Sequence, residues 1–184
     1  MDQLIIRRLL PQDAEQFQQL KLQGLQTDPE AFVATIEELQ AQSAEQIIHR
    51  LQTEYILGAF SNGKLIGSLH LIDQEKQKFS HIGILGGMYV DLHYRGLGLG
   101  KLLLKQMLTH ILSQNKYYSL QLKVITSNAT AIKLYEAFGF QRWATEKNAL
   151  HYQGNYWDQY HYMLVLSQPQ APKTVNKNEI LTTG

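Results

Sequence analysis

The stretch MYVDLHYRGLGLGKLLLKQML (88–108) sets glycines at the alternate positions 96, 98 and 100, with Arg95 before them and Lys101 after them. It joins an apolar segment to one with strong helical periodicity. Glycine has no Cβ, so successive N–H groups can turn toward one point, and the start of the following helix adds positive potential. Alternating glycines at a strand-to-helix junction therefore read as a cradle for phosphate or pyrophosphate. Taken alone, the same residues would serve equally well as a tight turn that binds nothing.

Two nucleotide-binding patterns fail here. The Walker A loop needs a glycine five positions before its Gly-Lys pair, but that position is Arg95, and Lys101 is followed by Leu102 rather than Ser or Thr. The dinucleotide fingerprint needs glycine at 101 or 103, where the chain has Lys101 and Leu103. What remains is R-x-x-G-x-G, carried by Arg95, Gly98 and Gly100.

Outward from the glycines, LIIRRL (4–9) reads as a strand, and PQDAEQFQQLKLQGL as a helix with Ala14, Phe17, Lys21 and Leu25 on one face and Asp13 as its cap. TDPEAFVATIEELQ reads as a loop or broken helix, and AEQIIHRLQ as a second helix. YILGAFSNGKLIGSLHLI is a hairpin turning at Asn62-Gly63, a pair that accepts positive φ. FSHIGILGGMYV is a long strand whose Gly86-Gly87 pair suggests a bulge or a close backbone approach. After the glycines, an apolar ridge of Leu99, Leu103 and Met107 predicts a helix to about Ser113. SLQLKV alternates as a strand, with Leu120, Leu122 and Val124 on one face. NATAIKLYEAFGF is a helix between Asn128 and Gly139, a matched pair of caps. Two strands around Gln153-Gly154-Asn155 follow, and residues 167–184 lack periodicity and read as a flexible tail. The order predicts an α+β fold with a mostly antiparallel sheet. One strand-helix-strand unit within it needs a parallel pair and a right-handed crossover.

Composition narrows the function. The 184 residues suffice for one domain with a real core, and 44% apolar with 18% charged residues is ordinary for a globular protein. A formal charge of +1 gives no bulk field for nucleic acid or membrane. The chain has no cysteine, which removes disulfides, thiolate nucleophiles and cysteine metal sites. The N-terminal apolar run is broken by Arg7 and Arg8, and no apolar run approaches the length of a membrane span, so a cytoplasmic protein is expected. The seven histidines (49, 70, 81, 93, 110, 151 and 161) form no i,i+4 pair, and no metal site is expected.

Asn128 and Tyr135 lie seven residues apart, so they project from nearly one face of the last helix. Either one alone would read as a cap or a packed ring. Together with the glycine turn one strand earlier, the combination R-G-x-G-x-G and N-x-x-A-x-x-L-Y-x-x-x-G-F resembles the GNAT superfamily of acyl-CoA-dependent N-acetyltransferases. The resemblance spans roughly 4–166 and implies a single acetyltransferase domain over 1–166. It also implies a three-layer α/β/α fold with about seven strands and about four helices, the sheet splitting between its fourth and fifth strands.

The resemblance further implies site residues. Backbone amides of Arg95, Gly96, Leu97, Gly98, Leu99, Gly100 and Lys101 would hold the CoA pyrophosphate. Met88, Tyr89 and Val90 would pair with the pantetheine arm, a bulge near Val90 leaving an N–H to polarise the thioester carbonyl. Asn128 would contact the cofactor near its thiol, and Tyr135 would give a proton to the departing thiolate. A phenol of pKa near 10 stays protonated at neutral pH and can donate to a thiolate of pKa about 8–9. With no cysteine, direct attack of the amine on acetyl-CoA is the economical route.

The general base is not legible. Many family members carry a glutamate on the fourth strand, and HIGILGGMYV has none. His81, Glu37, Glu38 and water stay open as candidates. The aromatic-rich end from Tyr152 to Tyr162 could line an acceptor pocket, form a homodimer contact or pack as core, and strand alternation favours packing. Two functions compete: transfer of acetyl to a primary amine, on a small molecule or a protein, and an acyl-CoA-binding sensor without turnover. The first accounts for Tyr135, the second for the missing base.

Overall fold

The computed structural model describes residues 4–166, so the tail expected over 167–184 lies outside the described residues. The elements run β1 (Leu4–Arg8), α1 (Ala14–Thr27), α2 (Ile36–Gln40), α3 (Ala44–Thr53), β2 (Tyr55–Ser61), β3 (Lys64–Ile72), β4 (Ile82–Val90), α4 (Leu99–Gln114), β5 (Ser119–Ile125), α5 (Ala129–Ala137), β6 (Gln141–Tyr152) and β7 (Asn155–Val165). The segment expected as a loop or broken helix holds a 3-10 turn at Pro29–Ala31 and then α2, which makes five helices among the described residues where about four were expected. Among the described residues no helix is long and apolar enough to cross a membrane.

All seven strands form one sheet in the order β1-β2-β3-β4-β5-β7-β6, with every pair antiparallel except β4–β5. Helices cover both faces. On one, Leu99, Leu103, Leu104, Met107 and Ile111 of α4 and Tyr135 of α5 pack with Leu57, Leu69, Leu85 and Leu120. On the other, Phe17 and Leu20 of α1 and Ile47 and Leu51 of α3 pack with Ile56, Phe60 and Tyr89. This is the three-layer arrangement the resemblance implied, with Leu120, Leu122 and Val124 of β5 all buried.

The local turn chemistry follows the residues. Asn62 and Gly63 both take positive φ (48° and 81°), and Ser61 pairs with Lys64 across them. α5 begins with the Asn128 Oδ1 accepting the Ala131 N–H at 3.0 Å. It ends with Gly139 at φ 87°, its N–H on Glu136 O and the Phe140 N–H on Tyr135 O.

Asp13 sits at the start of α1 but does not cap it with its side chain. A 3-10 turn over Pro11–Asp13 swings the carboxylate back, where it accepts the Leu10 N–H at 2.7 Å and two Arg7 N–H bonds at 2.7 and 2.8 Å. It therefore pins β1 to α1. The Arg7 guanidinium holds the Asp13 carboxyl below its ordinary range. The ionised form is thus favoured in the fold, so its contribution is complete above the usual carboxylate pKa of about 4 and fades as pH falls through the lowered value. Asp13→Asn should cost about 1–2 kcal/mol in urea unfolding at pH 7, Arg7 being partly exposed. The gap to the native chain should narrow on acidification; a gap that widens would contradict the pairing.

Candidate active site

The strands β4 and β5 pair only from Ile82 to Ile84, opposite Ser119 to Gln121. Against β3 on its other side, β4 shifts register: Gly86 faces His70 and Tyr89 faces Ser68, so Leu69 alone faces both Gly87 and Met88. A bulge bends the strand that carries it, and here it turns β4 away from β5. Gly87 takes φ +56°, and a Cβ there would come within 3.1 Å of the buried His70 ring. The bulge foreseen near Val90 thus lies at Gly87–Met88, where the paired glycines had hinted at it.

The divergence opens a cleft of about 750 Å³. Its walls are residues 85–90 of β4, 123–125 of β5 and the first half of α5, and its end is the glycine turn. Gly96 and Gly98 have φ of 77° and 78°. A Cβ on either would meet nothing within 4 Å, so left-handed backbone rather than crowding demands glycine there. Gly100 differs: its Cβ would lie 3.3 Å from Met88 Cε and 3.5 Å from Leu134 Cδ2, so it lets α4 approach β4 and α5.

The Leu102 N–H is the first to bond back toward the helix start, to Gly98 O at 3.1 Å. Among the described residues the N–H groups of Gly96, Leu97, Gly98, Leu99, Gly100 and Lys101 have no protein acceptor. Six free amides around an open space suit a pyrophosphate. Leu97, 74% exposed, is the one residue of the turn from Gly96 to Lys101 that does not line the cleft. Arg95 plays another part. Its N–H bonds Leu92 O at 3.3 Å, its Nε donates to Val90 O at 3.0 Å, and its guanidinium grips Asp28 at 2.6 and 3.3 Å.

Asp91, which no sequence signal singled out, holds the approach to this turn. Fully buried, its carboxylate accepts the His93 N–H at 3.0 Å, the His93 ring at 2.9 Å and Lys64 Nζ at 3.4 Å. Burial alone would raise its pKa, but hydrogen bonds from His93, Gln23 and Lys64 outweigh that and hold it down to about 2. It is ionised throughout the working range.

Asn128 and Tyr135 both line the cleft. The Asn128 Oδ1 is committed to capping α5, which leaves its amide N–H groups for a ligand. Tyr135 is 7% exposed, and its hydroxyl donates to Met88 Sδ at 3.5 Å. Burial pushes its pKa up to about 12.

A second cavity of about 100 Å³ lies between residues 29–36 and the β6–β7 hairpin, and Glu30 and Phe32 line both spaces. Tyr152 and Trp157 form part of its wall, while Tyr162 is fully buried in the core, so the aromatic end serves both packing and a pocket. The candidate bases fare unevenly. His81 precedes β4 at the end where β4 and β5 are closed, its carbonyl taken by Tyr118 and Ser119, and it does not reach the cleft. Glu38 forms a capping box with Thr35. Glu37 is exposed and accepts the Tyr152 hydroxyl at 3.4 Å, and hydrogen bonds from its own backbone, then Thr35 and Tyr152, keep its carboxyl below the ordinary range. Among the described residues no group of three or more His, Asp or Glu side chains is arranged to hold a metal.

Residues 19–140 match the model of the acetyltransferase (GNAT) family, well over half of the chain. The chain belongs to the GNAT acetyltransferase family. The L-amino acid N-acetyltransferase AaaT of Escherichia coli is 24% identical to this acetyltransferase over 164 residues, covering 88% of this chain and 97% of that enzyme. The probable spermine N(1)-acetyltransferase of Bacillus subtilis subsp. natto is 40% identical over 57 residues, a match spanning 31% of this chain and only 38% of that relative. The YncA protein of Salmonella typhimurium, solved with its cofactor acetyl-CoA, superposes with a TM-score of 0.81 at 17% identity, over 94% of this chain and 99% of that one. At that identity the likeness shows the fold.

Within this acetyltransferase the glycine turn makes a sharp stability comparison. Gly98→Ala forces a left-handed alanine and should cost about 1 kcal/mol, a few degrees in melting midpoint. Gly100→Ala meets only the movable end of Met88 and Leu134 and should cost less. Equal losses in thermal melts would mean that crowding, not backbone conformation, fixes the turn.

Proposed function

We propose that this acetyltransferase moves the acetyl group of acetyl-CoA directly to a primary amine. The observation that carries the reading is the cleft itself: free amides at its glycine end, an unpaired β4 edge along one wall and the buried Tyr135 hydroxyl beside Met88. The amides from Gly96 to Lys101 take the pyrophosphate. The open edge at Met88, Tyr89 and Val90 takes the pantetheine amides, and Asn128 donates to the same arm. A backbone N–H at the Gly87–Met88 bulge is placed to stabilise charge on the thioester oxygen.

The amine enters from the side of the smaller cavity and loses its extra proton to water. Its nitrogen bonds to the carbonyl carbon, the carbon–sulfur bond breaks, and the sulfur leaves with the electron pair. Tyr135 donates its hydrogen bond, and finally its proton, to that sulfur, while the second proton that the attacking nitrogen sheds as it becomes the amide leaves through water and restores the phenol. A pKa of about 12 makes Tyr135 a weaker acid than a free phenol but keeps it protonated across the physiological range. The departing thiolate is desolvated in the same cleft, which raises its proton affinity too. An acetyl-CoA-dependent reaction in a cysteine-free chain fits a cytoplasmic setting.

Two measurements test this. Acetyl-CoA and CoA at 100 times their dissociation constants should each add about 2.7 kcal/mol and raise the melting midpoint by several degrees, while NAD and ATP should not; no shift with either CoA species removes the reading. Tyr135→Phe should lower kcat by about 100-fold or more with little change in KM for acetyl-CoA. Unchanged kcat would strip Tyr135 of its role, and CoA binding without turnover on any amine would mark a sensor.

A further inference from the structure

The smaller cavity has a composition that the acetyl-transfer reading does not require. Its walls are largely apolar: Leu25, Phe32, Val33, Ile36, Leu150 and Trp157. Its charged group is Glu30, which also faces the large cleft, and Glu37 reaches its edge through the Tyr152 hydroxyl. Among the described residues no lysine or arginine lines it. His151 lines it, but its ring is stacked on Tyr156 with centroids 4.2 Å apart.

The cations of the neighbouring cleft are already occupied or lie elsewhere. Arg95 is bound by Asp28 at 2.6 Å, Lys123 by Glu146 at 3.1 Å, and Lys101 belongs to the glycine turn. An incoming ammonium finds the Glu30 carboxylate at the seam of the two spaces. An incoming carboxylate finds no lysine or arginine among the described residues of the smaller cavity, and placing it beside Glu30 sets like charges together in a partly desolvated site. Size adds a limit. A cavity of about 150 Å³ holds a benzene ring; at about 100 Å³ this one suits a branched aliphatic chain of four or five carbons.

We infer that the acceptor is a primary amine on a short, uncharged, apolar body, and not a free α-amino acid or a polyamine, with Glu30 positioning the ammonium at the mouth of the cleft. This rests on the reading of the large cleft as the acetyl-CoA site. It assigns a substrate class to the space beside it.

The test is steady-state turnover of the full chain with saturating acetyl-CoA, following CoA release with a thiol-reactive dye; the chain has no cysteine to interfere. The acceptors are L-leucinamide, 3-methylbutylamine, L-leucine and spermine. Leucine and leucinamide share amine and side chain and differ in the carboxylate, while 3-methylbutylamine removes the difference in amine basicity. Both uncharged-body amines should show kcat/KM at least tenfold above leucine and above spermine. Leu150→Arg, which supplies the missing cation on an edge strand, should narrow the leucinamide-to-leucine ratio at least tenfold. Leucine or spermine preferred by the native chain would overturn the inference and leave the acetyl-transfer reading standing. So would CoA binding with turnover of leucine or spermine but of neither apolar amine; CoA binding with turnover of none of the four would overturn it as well and favour the sensor. Failure to bind acetyl-CoA at all would remove the transfer reading, and this inference with it.

Discussion

A strand that leaves its neighbour must find partners for its exposed amides and carbonyls, and this constraint organises the molecule. Beyond Ile84, β4 has no partner on its β5 side among the described residues. In a closed sheet such an interruption would cost several hydrogen bonds with nothing returned. Here the bend at Gly87–Met88 keeps the gap open, and the helices on both faces hold the two strands apart at fixed spacing. The core is built around the gap: α4 packs on β2, β3 and β4, and α5 carries Tyr135 across toward Met88.

The other side of the cleft is fastened by contacts distant in sequence. Arg95 reaches Asp28 across 67 positions, and the Thr27 and Tyr89 hydroxyls meet at 3.2 Å across 62. An added Cβ on Gly24 would lie 2.5 Å from Phe32, so α1 sits directly against the segment that follows it. The loop after α1 is therefore held to the phosphate turn and to β4 together. Asp91 fixes the start of that turn from below. Its burial is tolerated because several donors converge on one carboxylate.

How much could be read from the chain depended on how local each signal was. The Asn62-Gly63 hairpin, the Asn128–Gly139 caps and the glycine turn are set by residues within a few positions of one another, and all are found as the pattern implied. The split of the sheet followed from the family resemblance, and the Gly86-Gly87 pair hinted at the bulge. Side-chain fates set by distant neighbours were not legible. Asp13 looked like a helix cap because Arg7 lies on another element, and His81 stayed a candidate base, although seven residues before Met88, because the point where β4 closes on β5 is set by strand pairing; the Thr35–Glu38 capping box, by contrast, is local and went unread. Glu30 carried no local signal, since it matters only where two cavities meet.

The long strand β6 has one more consequence. It forms an outer edge of the sheet, yet its register against β7 shifts between Arg142 and Ala144 and again between Glu146 and Leu150, with Asn148 at φ 51°. Regular pairing therefore never continues for more than three residues. Such an edge, with Lys147 projecting from it, offers no straight template on which another chain could lay a strand. The irregularity that shapes one wall of the smaller cavity also guards this protein against aggregation through its open border.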